Sequence, residues 1–180
     1  PETGIYTIKA CGAEGGVAFG YSSYDYTGKG ACMKGDFYLE AGEVLYILAG
    51  QQGEDDYNVG GGGGGTFIYK NDTSPDISDF ILAAGGGAGQ VDSHTPHNGA
   101  HGQTTTYGAG GSCYQGNDIN TGGSNGSGGS TYGSYSPGAG AGILTGGQDG
   151  YFYGNGGEAI IEGGFGAYAQ YGNWYYPHGG

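Results

Sequence analysis

The sequence predicts an all-β chain in which strands are joined to a bundle of glycine-rich polyproline II helices. Three observations carry this reading. Short apolar runs bounded by glycine recur at 4–12, 31–39, 44–49, 66–69 and 80–84, which is the length of strands rather than helices. Glycine supplies 48 of 180 residues, with six in a row at 60–65. It loses more entropy on ordering than any other residue, so such a run folds only where backbone must pack against backbone. Polyproline II suits that packing: it has three residues per turn and no internal hydrogen bonds, which leaves its N–H and C=O groups free to bond to neighbouring helices. The third observation is bulk, since 36% of residues are hydrophobic and there are 18 tyrosines, 6 phenylalanines and one tryptophan, more than a disordered chain carries. A collagen triple helix is excluded because IYTIKA and GEVLYILAG break the rule of glycine at every third position.

Taken in order, 4–12 alternates, with Ile5, Thr7 and Lys9 on one side and Tyr6, Ile8 and Ala10 on the other. Apolar groups on both sides predict a strand covered on both faces. Residues 15–30 read as a loop, 31–39 as the second strand, and Glu40-Ala-Gly-Glu43 as a turn into the third at 44–49. An acidic loop and the polyglycine lead to a fourth strand at 66–69. Asx residues and a proline mark 71–78 as a surface turn, and a fifth strand follows at 80–84. From residue 85 onward glycine recurs in one phase of three, at 99, 102, 108, 111, 123, 126, 129, 138, 147, 150 and 156. On a three-residue helix that phase is one edge, where a bare Cα lets a neighbour approach. Polyproline II is therefore expected over 60–65 and 85–157, with a last strand within 158–162. The whole chain, 1–180, reads as a single domain.

The series AGQQGED, polyglycine, TFIYK and FILAAGGGAG, together with the opening YTIKACGAEGG, resembles the extracellular glycine-rich domain of the anaplastic lymphoma kinase and leukocyte tyrosine kinase receptors. It also resembles a wider set of secreted glycine-rich proteins. The likeness covers 4–89; beyond that it is one of composition. It implies a small β-sandwich whose loops extend into a bundle of polyproline II helices. It further implies more glycine-rich chain, and often a closing strand, after the GGFG at 163–166. Either the sequence is part of a longer chain or a neighbouring subunit supplies the missing element. The start, PETG, carries no leader pattern, so a processed or partial chain is expected.

Composition narrows the function. Seventeen acids against 4 bases give a net charge of −13; nucleic-acid binding is not expected, since phosphate contacts need clustered Lys and Arg. An acidic surface suits a basic protein partner. No run of 18 apolar residues exists, so no membrane span is predicted. Cys11 and Cys32 flank one loop between early strands and are expected to pair, leaving Cys113 either buried or available to another chain. Asn71-Asp-Thr and Asn125-Gly-Ser are glycan acceptor patterns. Together these features predict an extracellular protein.

Catalysis is not predicted, and no cofactor or metal is expected. FILAAGGGAG ends a strand as a dinucleotide-binding turn does, but no helical period follows it. The polyglycine lacks the GK[ST] ending of a phosphate loop. Asp92, His94, His97 and His101 form the one cluster with metal-ligating chemistry and read as exposed turns. Glu54, Asp55 and Asp56 lack the alternating oxygen spacing of a calcium loop. No nucleophile elbow is present.

The first reading of function is a structural or adhesive protein, a self-assembling fibre subunit, in which a donated strand or tail completes an open sheet edge. Its expected contacts are Ile5, Tyr6 and Ile8 on the first strand and Phe165, Tyr168, Tyr171, Trp174, Tyr175 and Tyr176 in the aromatic tail, since aromatic rings are enriched at contact surfaces. The alternative is a ligand-binding ectodomain module for a basic protein. A third reading, ice binding by flat helix faces, is opposed by the interspersed tyrosines.

Overall fold

The computed structural model describes residues 2–17, 27–53, 55, 62–70, 76–88, 99–109, 121–130, 141–149 and 158–160, and the backbone of 169–171 and 174–176. It is all-β. Strands β1 (Gly4–Cys11) and β2 (Cys32–Leu39) pair antiparallel into one sheet, in register from Gly4 opposite Leu39 to Cys11 opposite Cys32. Strands β3 (Tyr46–Leu48), β4 (Thr66–Tyr69) and β5 (Phe80–Ala84) form a second sheet in that order, with both pairings antiparallel. Strands β6 (Ala169–Tyr171) and β7 (Trp174–Tyr176) make a two-stranded sheet of their own.

The first two sheets share one core. Ala10, Ile68, Leu82 and Ala84 are buried, and Ile8, Met33, Phe37, Leu45 and Ile81 pack on them. Period-two alternation places these residues, since side chains of successive strand residues point to opposite faces. On β1 the inward set is Tyr6, Ile8 and Ala10, so that the strand is covered on one face and not on both. The expectation of two covered faces fails because Ile5 is 75% exposed. On β2 the inward set contains Gly35, and the ring of Phe37, two residues on, fills the space a Cβ there would take. Ile68 pairs with Leu82 and Tyr69 with Phe80, which leaves Ile81 as the extra residue of a β-bulge. On the far side of the second sheet, Tyr46 stacks on Tyr69 at 5.7 Å and Tyr69 meets Phe80 at 5.3 Å.

Local chemistry fixes the turns. In the Glu40–Glu43 turn, Gly42 has φ +87, a left-handed conformation that L side chains disfavour. Glu43 closes this turn through its backbone N–H to the Glu40 carbonyl at 3.1 Å and its side chain to the Glu40 N–H at 3.0 Å. Lys70 reaches the same carboxylate at 2.5 Å; this contact first, and then the Glu40 N–H, holds the Glu43 carboxyl below its ordinary value of 4.5. Before β5, Asp76 caps a single 3-10 turn at Ile77–Asp79. It accepts from the Ser78 hydroxyl and N–H, and Asp79 accepts from the Asp76 N–H.

Those Ser78 contacts hold the Asp76 carboxyl below its ordinary value of 3.8. A depressed carboxylate stabilises the fold above its unfolded value, and that contribution is lost as pH falls through the folded value. The Asp76 carboxyl is therefore expected to titrate in the folded protein below 3.8 by NMR, with the Ser78 amide shift following it. Asp76→Asn is expected to flatten that amide titration. An Asp76 midpoint at or above the ordinary value would contradict the cap.

Glycine-rich backbone continues from the strand ends of this sandwich. Gly12 and Gly15 donate to the carbonyls of Ala31 and Gly28, and Gly28 and Ala31 donate in turn to Ala88 and Gly85, all at 2.8–3.0 Å. The bonds recur every third residue on antiparallel segments. Gly63 donates to Gly87, Gly87 to Ala13, Ala13 to Gly64 and Gly64 to Gln51, so segment 12–15 lies within a ring of neighbouring backbones. A second set of cross-bonds links 106–108, 121–130 and 142–148.

Here the expected single glycine phase does not hold throughout. Gly126 belongs to a turn with φ +83, and glycines of other phases, Gly122, Gly128 and Gly142, approach neighbouring backbone as closely as Gly99, Gly102 and Gly123 of the expected phase. Of the strand expected within 158–162, residues 158–160 form none, Ala159 being fully buried, and 161–162 lie outside the described residues. The β6–β7 hairpin was not anticipated, although Gly-Asn between AQY and WYY is a two-residue hairpin signal.

Candidate binding surface

The face of the β1–β2 sheet turned away from the core is open. It carries four rungs: Ile5 opposite Tyr38, Thr7 opposite Asp36, Lys9 opposite Lys34, and Cys11 opposite Cys32. Ile5 is 75% and Tyr38 64% exposed. The Thr7 hydroxyl donates to Asp36 at 2.5 Å. A disulfide joins Cys11 and Cys32 across the last rung, with Cα atoms 4.0 Å apart.

Several polar side chains serve the scaffold. The Glu14 carboxylate accepts from the buried Thr27 hydroxyl and pairs with the Lys29 ammonium. His101 accepts the Lys29 backbone N–H on Nδ1 at 2.9 Å, so its ring proton sits on Nε2 when the ring is neutral. Asp55 accepts from the Val17 N–H at 2.7 Å. Asp92, His94, His97, Glu54 and Asp56 lie outside the described residues. Among the described residues no three His, Cys, Asp or Glu side chains gather as metal ligands, and no helix is long and apolar enough to cross a membrane.

Of the contact residues named from the sequence, Ile5 is on the open face. Tyr6 is half-buried, its hydroxyl donating to the Glu2 carbonyl at 2.5 Å. Ile8 packs on the core and is withdrawn from any surface; strand alternation turns it inward. Tyr171, Trp174, Tyr175 and Tyr176 lie on β6 and β7, whereas Phe165, Tyr168, Asn71 and Cys113 lie outside the described residues. Asn125 is exposed at a turn with φ +49, its N–H donating to the Thr106 carbonyl at 2.7 Å.

Thr66 was missed by sequence reasoning. Its buried hydroxyl donates to the Cys11 carbonyl at 2.8 Å and accepts from the Gly50 N–H at 3.1 Å, tying the ends of β1, β3 and β4 together where the glycine segments begin. The available signal was its position between polyglycine and an apolar run.

No family model matches the chain. A stretch of 55 residues is 44% identical to the leukocyte tyrosine kinase receptor of Mus musculus and covers 31% of this chain and 6% of the receptor. The likeness is that of a related domain, over a small part of the receptor's length.

Proposed function

We propose that this chain is an extracellular, non-catalytic binding module in which a hydrogen-bonded glycine scaffold holds a small β-sandwich rigid for recognition of a basic protein. The 55-residue likeness to a receptor carries the reading, and the exposed intrachain disulfide agrees with an oxidising compartment. A net charge of −13 supplies the attraction for a cationic ligand. The glycine segments are read as polyproline II on the three-residue recurrence of their hydrogen bonds, for which vibrational circular dichroism is the test.

The function is tested by presenting the purified, oxidised chain to an array of purified secreted proteins. Saturable binding to one or a few basic members, weakened by salt, is expected. Absence of saturable binding, or binding confined to acidic members, would sink the basic-ligand reading.

A second reading, a self-associating structural subunit, is favoured by one observation. Among the described residues the β6–β7 hairpin pairs with no other strand, and an isolated two-stranded hairpin is marginal in water. Light scattering across concentration separates the two readings, because only the second predicts growth in mass.

A further inference from the structure

Among the described residues, the edge of β1 that faces away from β2 pairs with no strand over three residues. The 4.0 Å Cα separation at Cys11 and Cys32 marks a non-hydrogen-bonded rung. Rungs alternate, so Lys9, Thr7 and Ile5 occupy rungs of the same kind, and their N–H and C=O groups point away from β2. Among the described residues none of these groups has a partner. The Cys11 carbonyl, next in the series, is taken by the Thr66 hydroxyl.

The same three residues border an unneutralised charge. The chain has four lysines: Lys29 pairs with Glu14 and Lys70 with Glu43. Lys9 and Lys34 pair with no carboxylate among the described residues, yet they face each other directly across β1 and β2. Like charges in facing positions destabilise a strand pair. The nearby Asp36 is engaged by Thr7. In a chain of net charge −13, this pair of cations stands on one exposed face and forms no ion pair among the described residues.

The inner side of that edge is apolar and uncovered. Ile47 shares the inner face with its partner Ile68, but Ile68 is 4% exposed and Ile47 is 67%. β2 lies over β5, and β1 over β5 and β4; the strand position beyond β1 falls over β3, where nothing described covers Ile47.

We propose that the free edge of β1 accepts an extended segment of a partner protein in which acidic and apolar residues alternate. Strand addition supplies the backbone hydrogen bonds, and pockets for alternate side chains supply selectivity. Acidic side chains fall on the outer face beside Lys9, with Lys34 reinforcing the field. Apolar ones fall inward onto Ile47. The site takes a ligand of the opposite charge from the basic-ligand reading above and does not depend on it.

The test uses fluorescein-labelled seven-residue peptides with blocked ends, one alternating glutamate with valine or threonine and one with lysine in place of each glutamate. Anisotropy is read against the full oxidised chain. The acidic peptide is expected to bind saturably and at least about tenfold more tightly than its lysine counterpart. Lys9→Glu combined with Lys34→Glu is expected to reverse that preference, and Ile47→Lys to weaken the acidic peptide at least about tenfold, the size expected for losing one close charge or apolar anchor. An acidic peptide N-methylated on the amides of one edge removes its bonds to β1 without altering the protein, and is expected to lose binding. The proposal is overturned by tighter binding of the lysine peptide, by indifference to N-methylation, or by no binding at millimolar peptide. A dimer of the chain that the acidic peptide cannot displace assigns the edge to a second copy, and also overturns it.

Discussion

Gly87→Ala is expected to destabilise the fold severely. Gly87 is buried, donates its N–H to the Ala13 carbonyl at 2.9 Å and accepts from the Gly63 N–H at 2.8 Å. A Cβ built there overlaps the carbonyl of Gly28 and runs into the backbone of Lys29. Overpacking in a core of side chains costs about 1–3 kcal/mol because rotamers give way. Backbone held by hydrogen bonds on two sides has no such freedom. A loss above about 4 kcal/mol is expected, a large share of the 5–15 kcal/mol that stabilises an ordinary domain. Gly85→Ala is the control: a Cβ there meets nothing within 4 Å, and an effect within about 0.5 kcal/mol is expected. Thermal unfolding of the two variants against wild type checks both. Equal melting temperatures would mean that the segments do not pack as described.

Removing the disulfide is the second large effect. Cys11 and Cys32 are 21 residues apart and bridge the end of the β1–β2 pair from which the connecting chain leaves, where both strands pass directly into hydrogen-bonded glycine segments. Constraining a loop of that size in the unfolded chain is worth about 3 kcal/mol in the chain-entropy model. The apolar core is small, and two of its four most buried members are alanines, so hydrophobic burial offers little reserve. The paired substitution Cys11→Ser and Cys32→Ser is expected to lower unfolding stability by about 3 kcal/mol in urea titration. Both sulfurs belong to exposed residues, so reductant added to wild type is expected to reproduce the loss. Unchanged midpoints in both experiments would remove the disulfide from the account of stability.

The five strands of the sandwich were legible because period-two alternation is local and their glycine and Asx boundaries are strong. Their ends were less so: the third shrank from 44–49 to Tyr46–Leu48, since Val44, Leu45 and Ala49 pair with no strand among the described residues. Which face of β1 lies inward was ambiguous, as Ile5 and Ile8 are equally apolar; the choice is made by the sheet that packs on it. The hydrogen bond from Lys29 to His101 spans 72 residues, and no pattern in one sequence announces such a contact. The free edge of β1 was a stated expectation only as a contact segment. That Lys9 and Lys34 pair with no carboxylate among the described residues depends on where Glu14 and Glu43 go, which is a property of the fold.

The glycine segments form a hydrogen-bonded scaffold. Amide hydrogen exchange, resolved by NMR for each glycine, tests it most directly. The amides of Gly12, Gly15, Gly28, Gly63, Gly64, Gly87 and Gly102 each donate to a backbone carbonyl of another segment, whereas Gly42 sits in an exposed turn with no described acceptor. The seven are expected to exchange as slowly as the amides of β4 and β5, within about an order of magnitude, as one cooperative unit does, and Gly42 is expected to exchange freely. Exchange of all eight at the rate of an unstructured peptide, beside protected β4 and β5, would contradict the scaffold.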